Sequence, residues 1–288
     1  MQYTHPEYLV TPSQLHEQLG DPNLRVFDTA VFLIPGKHGY AVETGHKKYR
    51  EAHLPGAGFI DLNGAWADPR SDLNFTVPNV DLLANAIGKV GIGNDHRVVL
   101  YSSSHLMWAT RAWWLLHYAG HKNVAILNGN LNAWRDAGLP VESGEQHYAS
   151  TQFMPTVDAG CIASTTEVED GMHGSVCTIN ALSRSLYEGT GDFYYQRRGH
   201  IPGSKLLYYD AVLTDETFLE PDSLRAALSE HGMLDAERVI TYCGGGIAAT
   251  VDAFACKLLG HGNVGVYDGS MSAWVTDDAR PLTVGPTP

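Results

Sequence analysis

The chain contains an internal duplication, and this feature limits the possible folds more than any other. Four blocks of sequence occur twice in the same order, and roughly 140 to 150 residues separate the two members of each pair. A period of this length corresponds to a whole domain rather than to a short stacked repeat. The paired blocks are 52–57 with 199–204, 98–102 with 239–243, 120–124 with 260–264, and 128–134 with 268–274.

The duplication divides the 288 residues into two domains of similar size. Chains of this length usually split in this way, because a single hydrophobic core stops growing near 250 to 300 residues. The segment before residue 161 is polar, has no periodicity and contains Pro155, which is typical of a linker. We predict a first domain over residues 1–144, a linker over 145–160 and a second domain over 161–288.

Within each copy, short apolar strands alternate with amphipathic helices. Residues 98–101 and 239–242 are apolar strands, and an apolar helical segment follows each of them. Thr11 before Pro12 predicts the cap of the first helix, and Thr165 or Thr166 is predicted to cap its counterpart. This alternation predicts an α/β fold in which each domain is a mainly parallel sheet with helices on both faces.

Composition and charge argue against several classes of function. The net charge is −13 and Lys and Arg form no block, so neither nucleic acid nor an anionic membrane is expected as a partner. No apolar stretch reaches the ~20 residues of a membrane span, and the N-terminus does not read as a signal peptide. The four cysteines form no CxxC pair, so we expect no metal site, no disulfide framework, no cofactor and a reducing, cytoplasmic setting.

The two copies differ where the apolar strand ends. The first copy has Ser102 and two further serines there, whereas the second has Cys243 followed by three glycines and a helix. Consecutive glycines can turn several N–H groups toward one point, and a helix N-terminus favours an anion, which here is a thiolate. A buried structural cysteine beside a tight turn is the alternative. The predicted site consists of the nucleophile Cys243 and the amides of Gly244, Gly245, Gly246, Ile247 and Ala248.

These motifs together resemble the tandem rhodanese-type sulfurtransferases, the family of the thiosulfate and mercaptopyruvate sulfurtransferases. The matching segments are 53–57, 199–203, the loop at Cys243, and 268–270 with Trp274, which together span almost the whole chain. The resemblance implies two rhodanese-like domains and a persulfide on Cys243. It also implies a small sulfur donor and, as acceptor, a thiol, cyanide or a thioredoxin-like protein.

The residues after Cys243 bear on the donor. Family members that prefer thiosulfate have basic residues there, whereas this uncharged loop resembles that of the mercaptopyruvate-preferring members. Those members also bind the donor's carboxylate with arginines, but Leu182 and Leu186 stand where arginines are expected. The remaining candidates for this carboxylate are Arg184, Arg197 and Arg198.

The resemblance also implies a second catalytic residue. His53 belongs to the first copy's His-x-Pro-Gly motif, which in related enzymes faces the cysteine and relays protons. A purely structural role in the turn, as expected for His200, is the alternative.

Two other functions compete with an active sulfurtransferase. One is a sulfur-carrier or partner-binding module with little turnover of its own. The other is a cysteine-dependent phosphatase, which needs an arginine in the loop, and residues 243–250 contain none.

Overall fold

The first half of the chain builds a five-stranded parallel sheet. The computed structural model describes residues 2–36, 39–172, 174, 176–191, 195 and 197–288. The strands of this half are β1 (Leu9–Val10), β2 (Leu24–Asp28), β3 (Val31–Gly36), β4 (Gly39–Thr44), β5 (Gly58–Phe59), β6 (Arg97–Tyr101) and β7 (Val124–Leu127). The sheet has the order β1-β7-β6-β2-β5, which requires crossover connections between neighbouring parallel strands, as expected for alternating strands and helices.

The second half builds the same sheet again. Its order is β10-β9-β13-β14-β8, which matches the first sheet strand for strand when read from the opposite edge. All of its neighbouring strands are parallel, so the predicted fold class and the duplication are confirmed. The strands are β8 (Ile162–Ala163), β9 (Val176–Asn180), β10 (Lys205–Leu206), β11 (Leu213–Thr214), β12 (Thr217–Phe218), β13 (Arg238–Tyr242) and β14 (Val264–Tyr267), of which β11 and β12 form a separate hairpin.

Helices connect these strands. Thr11 caps the first helix as predicted, and its hydroxyl and the Gln14 side chain form a reciprocal capping box. The cap predicted at Thr165 or Thr166 is wrong, because Ser164 has the extended backbone of a cap and accepts the Glu167 amide. The helices are α1 (Pro12–Gln18), α2 (His46–Glu51), α3 (Val80–Lys89), α4 (Met107–Tyr118), α5 (Leu131–Asp136), α6 (Thr165–Gly171), α7 (Arg184–Tyr187), α8 (Pro221–Glu230), α9 (Ala249–Leu258) and α10 (Ser270–Trp274).

Both faces of the first sheet are buried, as predicted. Val98 and Leu100 of β6 join one hydrophobic cluster, whereas Val99 and Tyr101 of the same strand join another. Successive side chains of a strand point to opposite faces, so the two clusters cover opposite faces of the sheet.

The segment after residue 144 runs along the first domain. The Thr151 amide donates to the Gly88 carbonyl (2.9 Å) and the Thr156 amide to the Ala119 carbonyl (2.9 Å). A Cβ on Gly88 would lie only 2.4 Å from the Thr151 carbonyl oxygen, so a side chain there would displace the segment. This segment is therefore bound along the sheet and helices of the first half of the chain.

The two domains meet through α4 and α9. Thr110 of α4 and Thr250 of α9 share a buried hydrogen bond between their hydroxyls (2.7 Å). The rings of Trp113 and Phe254 pack edge to face with their centroids 4.8 Å apart. Since α9 follows directly on the loop at Cys243, the first domain packs against the element that carries this loop.

Candidate active site

Cys243 lies at the carboxyl end of β13, the central strand of the second sheet. Ligands of open parallel sheets bind at this edge. The residue is 2% exposed, and its amide donates to the Ser270 hydroxyl (3.0 Å), which in turn donates to the Tyr267 carbonyl (2.8 Å). The start of the loop is therefore held in place by the segment that follows β14.

The carbonyl groups of the loop are bound to residues outside it. The Gly244 carbonyl accepts both the Ser272 hydroxyl (2.7 Å) and the Ser272 amide (2.9 Å). Gly246 has φ +76°, and a Cβ on it would lie 2.4 Å from the Asp268 carbonyl oxygen. Only glycine fits this position, because both the dihedral angle and the available space exclude a side chain.

The amides of the loop remain available. In the part of the chain that the structure describes, the N–H groups of residues 244–248 have no acceptor. Helix α9 begins at the next residue, so its positive N-terminal end adds to the field of these amides. Unpaired amides at a helix N-terminus form an anion site, and Cys243 stands at its beginning.

The first domain contributes a buried cation to this loop. Arg111 of α4 is 1% exposed and donates through Nη1 to the Gly246 carbonyl (3.1 Å) and through Nη2 to the Phe75 carbonyl (2.5 Å). Its Nη2 also lies 2.7 Å from Oδ1 of Asp268, whose Oδ2 accepts the Val77 amide (2.8 Å). The sequence analysis missed Arg111, although a charged residue within the apolar segment 107–118 is itself a signal.

A cavity of about 500 Å³ opens above Cys243 between the two domains. The β3–β4 hairpin, which the sequence analysis did not predict, contributes Leu33, Tyr40 and Val42 to its wall. A cavity of this size matches a small organic ligand. The aromatic residues of the wall are Tyr40, Phe75, Trp108, Tyr208 and Tyr209.

The arginines that were predicted to bind the donor do not line this cavity. Arg184 is largely exposed and pairs with Glu188 (3.3 Å). Arg197 donates to the carbonyls of Asp277 (2.7 Å) and Arg280 (2.5 Å). Arg198 is likewise not among the lining residues. Their predicted role in substrate binding stays a prediction without a contact that supports it.

The structure does not bring His53 into the cavity either. Its ring is fully buried, donates from Nδ1 to the Tyr49 carbonyl (2.9 Å) and stacks on the Tyr49 ring. His200 makes the same two contacts with Tyr187. These shared contacts favour a structural role for both histidines. The rings differ at Nε2, which lies 3.1 Å from the Thr287 carbonyl in His200 and has no partner among the described residues in His53, and the proton relay by His53 stays a prediction.

The corresponding loop of the first domain is occupied by its own side chains. The Ser104 amide donates to the Ser102 hydroxyl (3.1 Å), and the Ser103 amide donates to Oδ1 of Asp28 (3.1 Å). Burial raises the pKa of Asp28 to about 6, although the hydrogen bonds that its carboxylate accepts lower it. The serine loop therefore lacks the free amides found at Cys243.

The other three cysteines lie in environments that suppress the thiolate. Burial raises the pKa of Cys161 to about 11, raises that of Cys177, and raises that of Cys256 well above its usual value. All four cysteines are free thiols. Within the described ranges no His, Cys, Asp and Glu side chains are grouped as metal ligands. No helix in these ranges is long and apolar enough to cross a membrane.

Comparisons with known proteins agree with this geometry. The family model described as "Rhodanese-like domain" matches residues 11–137 and 183–277. The chain is 32% identical to a probable 3-mercaptopyruvate sulfurtransferase of Pseudomonas aeruginosa, over 96% of this chain and 98% of that one. It is 34% identical to a putative thiosulfate sulfurtransferase, SseB, of Mycobacterium tuberculosis, over 97% and 98% of the two chains. The crystal structure of SseA from Escherichia coli, described as a 3-mercaptopyruvate sulfotransferase, superposes with a TM-score of 0.82 at 27% identity, covering 91% of this chain and 98% of that one.

Proposed function

The chain belongs to the rhodanese family of sulfurtransferases, and we propose that it transfers sulfur through a persulfide on Cys243. The observation that carries this proposal is the set of loop amides, residues 244–248, without acceptors in the described chain beside a free thiol. Such amides stabilise an anionic sulfur, whether it is the resting thiolate or the outer sulfur of the persulfide.

The reaction has two halves. In the first, the Cys243 thiolate attacks the sulfur that the donor gives up, the bond joining this sulfur to the donor breaks, and its electron pair leaves with the donor. In the second, an acceptor nucleophile attacks the outer sulfur, and the electron pair of the S–S bond returns to Cys243. No external oxidant or reductant is consumed, which agrees with a site that needs no cofactor.

Of the two donors common in the family, 3-mercaptopyruvate fits this site better than thiosulfate. Gly244 and Gly245 bring no cation to the cysteine, and Arg111 beside the loop is already paired with Asp268, so a doubly charged donor finds no unpaired counter-charge in the loop. We propose a thiol, cyanide or a thioredoxin-like protein as acceptor. The free thiols of all four cysteines agree with a reducing, cytoplasmic setting.

A comparison of donors tests the proposal. Thiocyanate release to cyanide and sulfide release to a reductant are measured with thiosulfate and with 3-mercaptopyruvate, for the wild type and for Cys243→Ala. We expect activity in the wild type, a higher kcat/KM for 3-mercaptopyruvate, and loss of both activities in the variant. Equal activity of the two proteins would exclude Cys243 as the carrier of sulfur.

One observation favours a second function, a sulfur-carrier module with little turnover of its own. Leu182 and Leu186 line the cavity at positions where related enzymes have arginines. Under this alternative, a partner protein delivers the sulfur, so Cys243 becomes persulfidated by that partner but turns over neither small donor.

A further inference from the structure

We infer that Glu216 of the second domain is a positioning residue, whose carboxylate holds the first turn of α4 and with it one wall of the cavity above Cys243. The inference rests on the proposed function and concerns how the same site binds its donor. Glu216 is not among the residues that line the cavity, so it acts through the residues that it holds.

The backbone of Glu216 is strained. With Asp215 it forms the two-residue turn between β11 and β12, and both residues have left-handed dihedral angles, φ +63° for Glu216 and +48° for Asp215. Turns of this kind favour asparagine and glycine, because other side chains cost free energy there. A glutamate at this position therefore indicates a contact of its side chain that offsets the strain.

Two other residues with left-handed angles in the described chain, Phe75 and Ser270, hold the active site. The Phe75 carbonyl accepts a hydrogen bond from Arg111, and the Ser270 hydroxyl accepts one from the Cys243 amide (3.0 Å). Asp215, in contrast, is exposed, and within the described ranges its side chain makes no contact with the first domain. Strained positions thus occur where the active site is held, and Asp215 provides a control for Glu216.

The side chain of Glu216 contacts the start of α4 in the first domain. Its Oε2 accepts the Leu106 amide (2.6 Å), and its Oε1 lies 3.3 Å from Nε2 of His105. The Leu106 side chain does not cap this helix, so a carboxylate from the other domain accepts an amide at the helix N-terminus.

His105 extends this contact to the next amide of the chain. The Met107 amide donates to Nδ1 of His105 (3.0 Å), so in this arrangement the proton of the ring lies on Nε2, beside Glu216. A second carboxylate near this nitrogen, that of Asp210, is farther away at 3.8 Å. Glu216 therefore accepts the Leu106 amide directly and fixes the ring that accepts the Met107 amide.

The residues held by Glu216 adjoin both walls of the cavity. Met107 and Trp108 begin α4 and line the cavity from the first domain. Tyr209 lines it from the second domain, and its ring packs edge to face on His105 with the centroids 5.3 Å apart. Removal of the Glu216 carboxylate should therefore loosen both walls, and a ligand then loses binding free energy because it must order them.

The loop at Cys243 should stay in place when Glu216 is replaced. Arg111 lies one turn farther along α4 and keeps its own partners, Gly246 and Asp268. The expected effect is thus weaker binding of the donor, seen as a raised KM, with a nearly unchanged kcat.

Glu216→Gly, Glu216→Gln and Asp215→Gly test the inference. Glycine relieves the strain at either position and so preserves the turn, but only at position 216 does it remove the contact with α4. KM for 3-mercaptopyruvate should rise roughly tenfold in Glu216→Gly, which is the change that the loss of one charge-assisted hydrogen bond gives. It should rise less in Glu216→Gln, whose amide has one acceptor oxygen for two donors, and should stay unchanged in Asp215→Gly, the matched control.

Alkylation of Cys243 by 3-bromopyruvate separates this inference from the proposed function. The thiolate attacks the methylene carbon, the C–Br bond breaks and bromide leaves, so no sulfur transfer is required. We expect kinact/KI to fall roughly tenfold in Glu216→Gly and to stay unchanged in Asp215→Gly. This result supports the inference even if the wild type transfers no sulfur. Equal kinact/KI values for the two glycine variants, or equal KM values in proteins that turn over, would overturn it.

Discussion

Arg111 of the first domain lies 2.7 Å from Asp268 of the second, and this buried ion pair joins the domains beneath the catalytic loop. The same guanidinium holds the Gly246 carbonyl, so the domain without the cysteine fixes the conformation of the loop that carries it. This contact gives the supporting domain a physical role in the reaction beyond burial of the interface.

Arg111→Met should destabilise the protein by about 1–3 kcal/mol, because it removes a buried guanidinium that holds two carbonyl groups and leaves the half-buried Asp268 without its partner. Activity per folded molecule should also fall, by as much as about 100-fold, since the loop loses the contact that orients Gly246. Denaturant unfolding and initial rates measure the two effects. Arg135→Met, at an exposed position of α5, serves as the control and should change neither. A double-mutant cycle with Asp268→Asn should show strong non-additivity, and additive effects would contradict the coupling.

Alkylation should distinguish Cys243 from the other cysteines. Cys177 is the more exposed residue, but burial raises its pKa, as it does for Cys161 and Cys256. At neutral pH, iodoacetamide should therefore label Cys243 first, which peptide mass mapping after short exposure detects. Equal labelling of Cys177 and Cys243 would contradict the assignment of Cys243 as the reactive thiol.

Asp28 should make stability depend on pH. Its pKa is about 6 in the folded state against 3.8 for an ordinary aspartate, so the native state holds a proton that the unfolded state has lost between these values. Stability should therefore fall as pH rises from about 4 to about 6. Asp28→Asn should remove this loss and stabilise the protein near neutral pH by up to about 3 kcal/mol, with a smaller effect at low pH.

The second domain provides the reverse substitution. Asn180 occupies the position equivalent to Asp28 and accepts the Leu182 amide (2.8 Å). Asn180→Asp should introduce the same dependence on pH, with the lower stability at neutral pH. If the free energy of unfolding showed no dependence on pH beyond that of Asp28→Asn, in either the wild type or Asn180→Asp, burial would not govern these carboxyl groups.

His53 and His200 form a matched pair for the proton relay. Their equivalent contacts predict that His53→Asn and His200→Asn each lower the free energy of unfolding by about 1–3 kcal/mol and leave kcat unchanged. A loss of about 100-fold or more in kcat for the His53 variant alone, with an altered pH profile, would instead show that His53 relays protons.

The sequence allowed the sheets and the loop to be predicted because both depend on local patterns. Apolar strands, the capping residue Thr11 and the three glycines after Cys243 each determine their own conformation. Contacts between the domains depend on residues that lie far apart in the sequence. The charge of Arg111 within an apolar helix is a local signal, but its partners Gly246 and Asp268 become visible only in the folded structure.

The position of His53 relative to the cysteine rested on the resemblance to related enzymes and not on a local pattern. The repeated turn motif places both His53 and His200 in buried turns, each bonded to the carbonyl of a tyrosine, and the proton relay by His53 stays a prediction. The hairpin of β3 and β4 was missed because it has no counterpart in the described part of the second copy, although it supplies part of the cavity wall. The predicted domain boundaries at residues 144 and 161 stay predictions.

The most direct test of the account is the mass of Cys243 after a single turnover. Wild-type protein is treated with one equivalent of 3-mercaptopyruvate or inorganic polysulfide, digested under acidic conditions and mapped by mass spectrometry. We expect one additional sulfur on the peptide that contains Cys243, its removal by cyanide as thiocyanate, and no such sulfur in Cys243→Ala. Sulfur on Cys161, Cys177 or Cys256 instead would contradict the account. So would an unmodified Cys243 after the equivalent of donor has been consumed and before any acceptor is added.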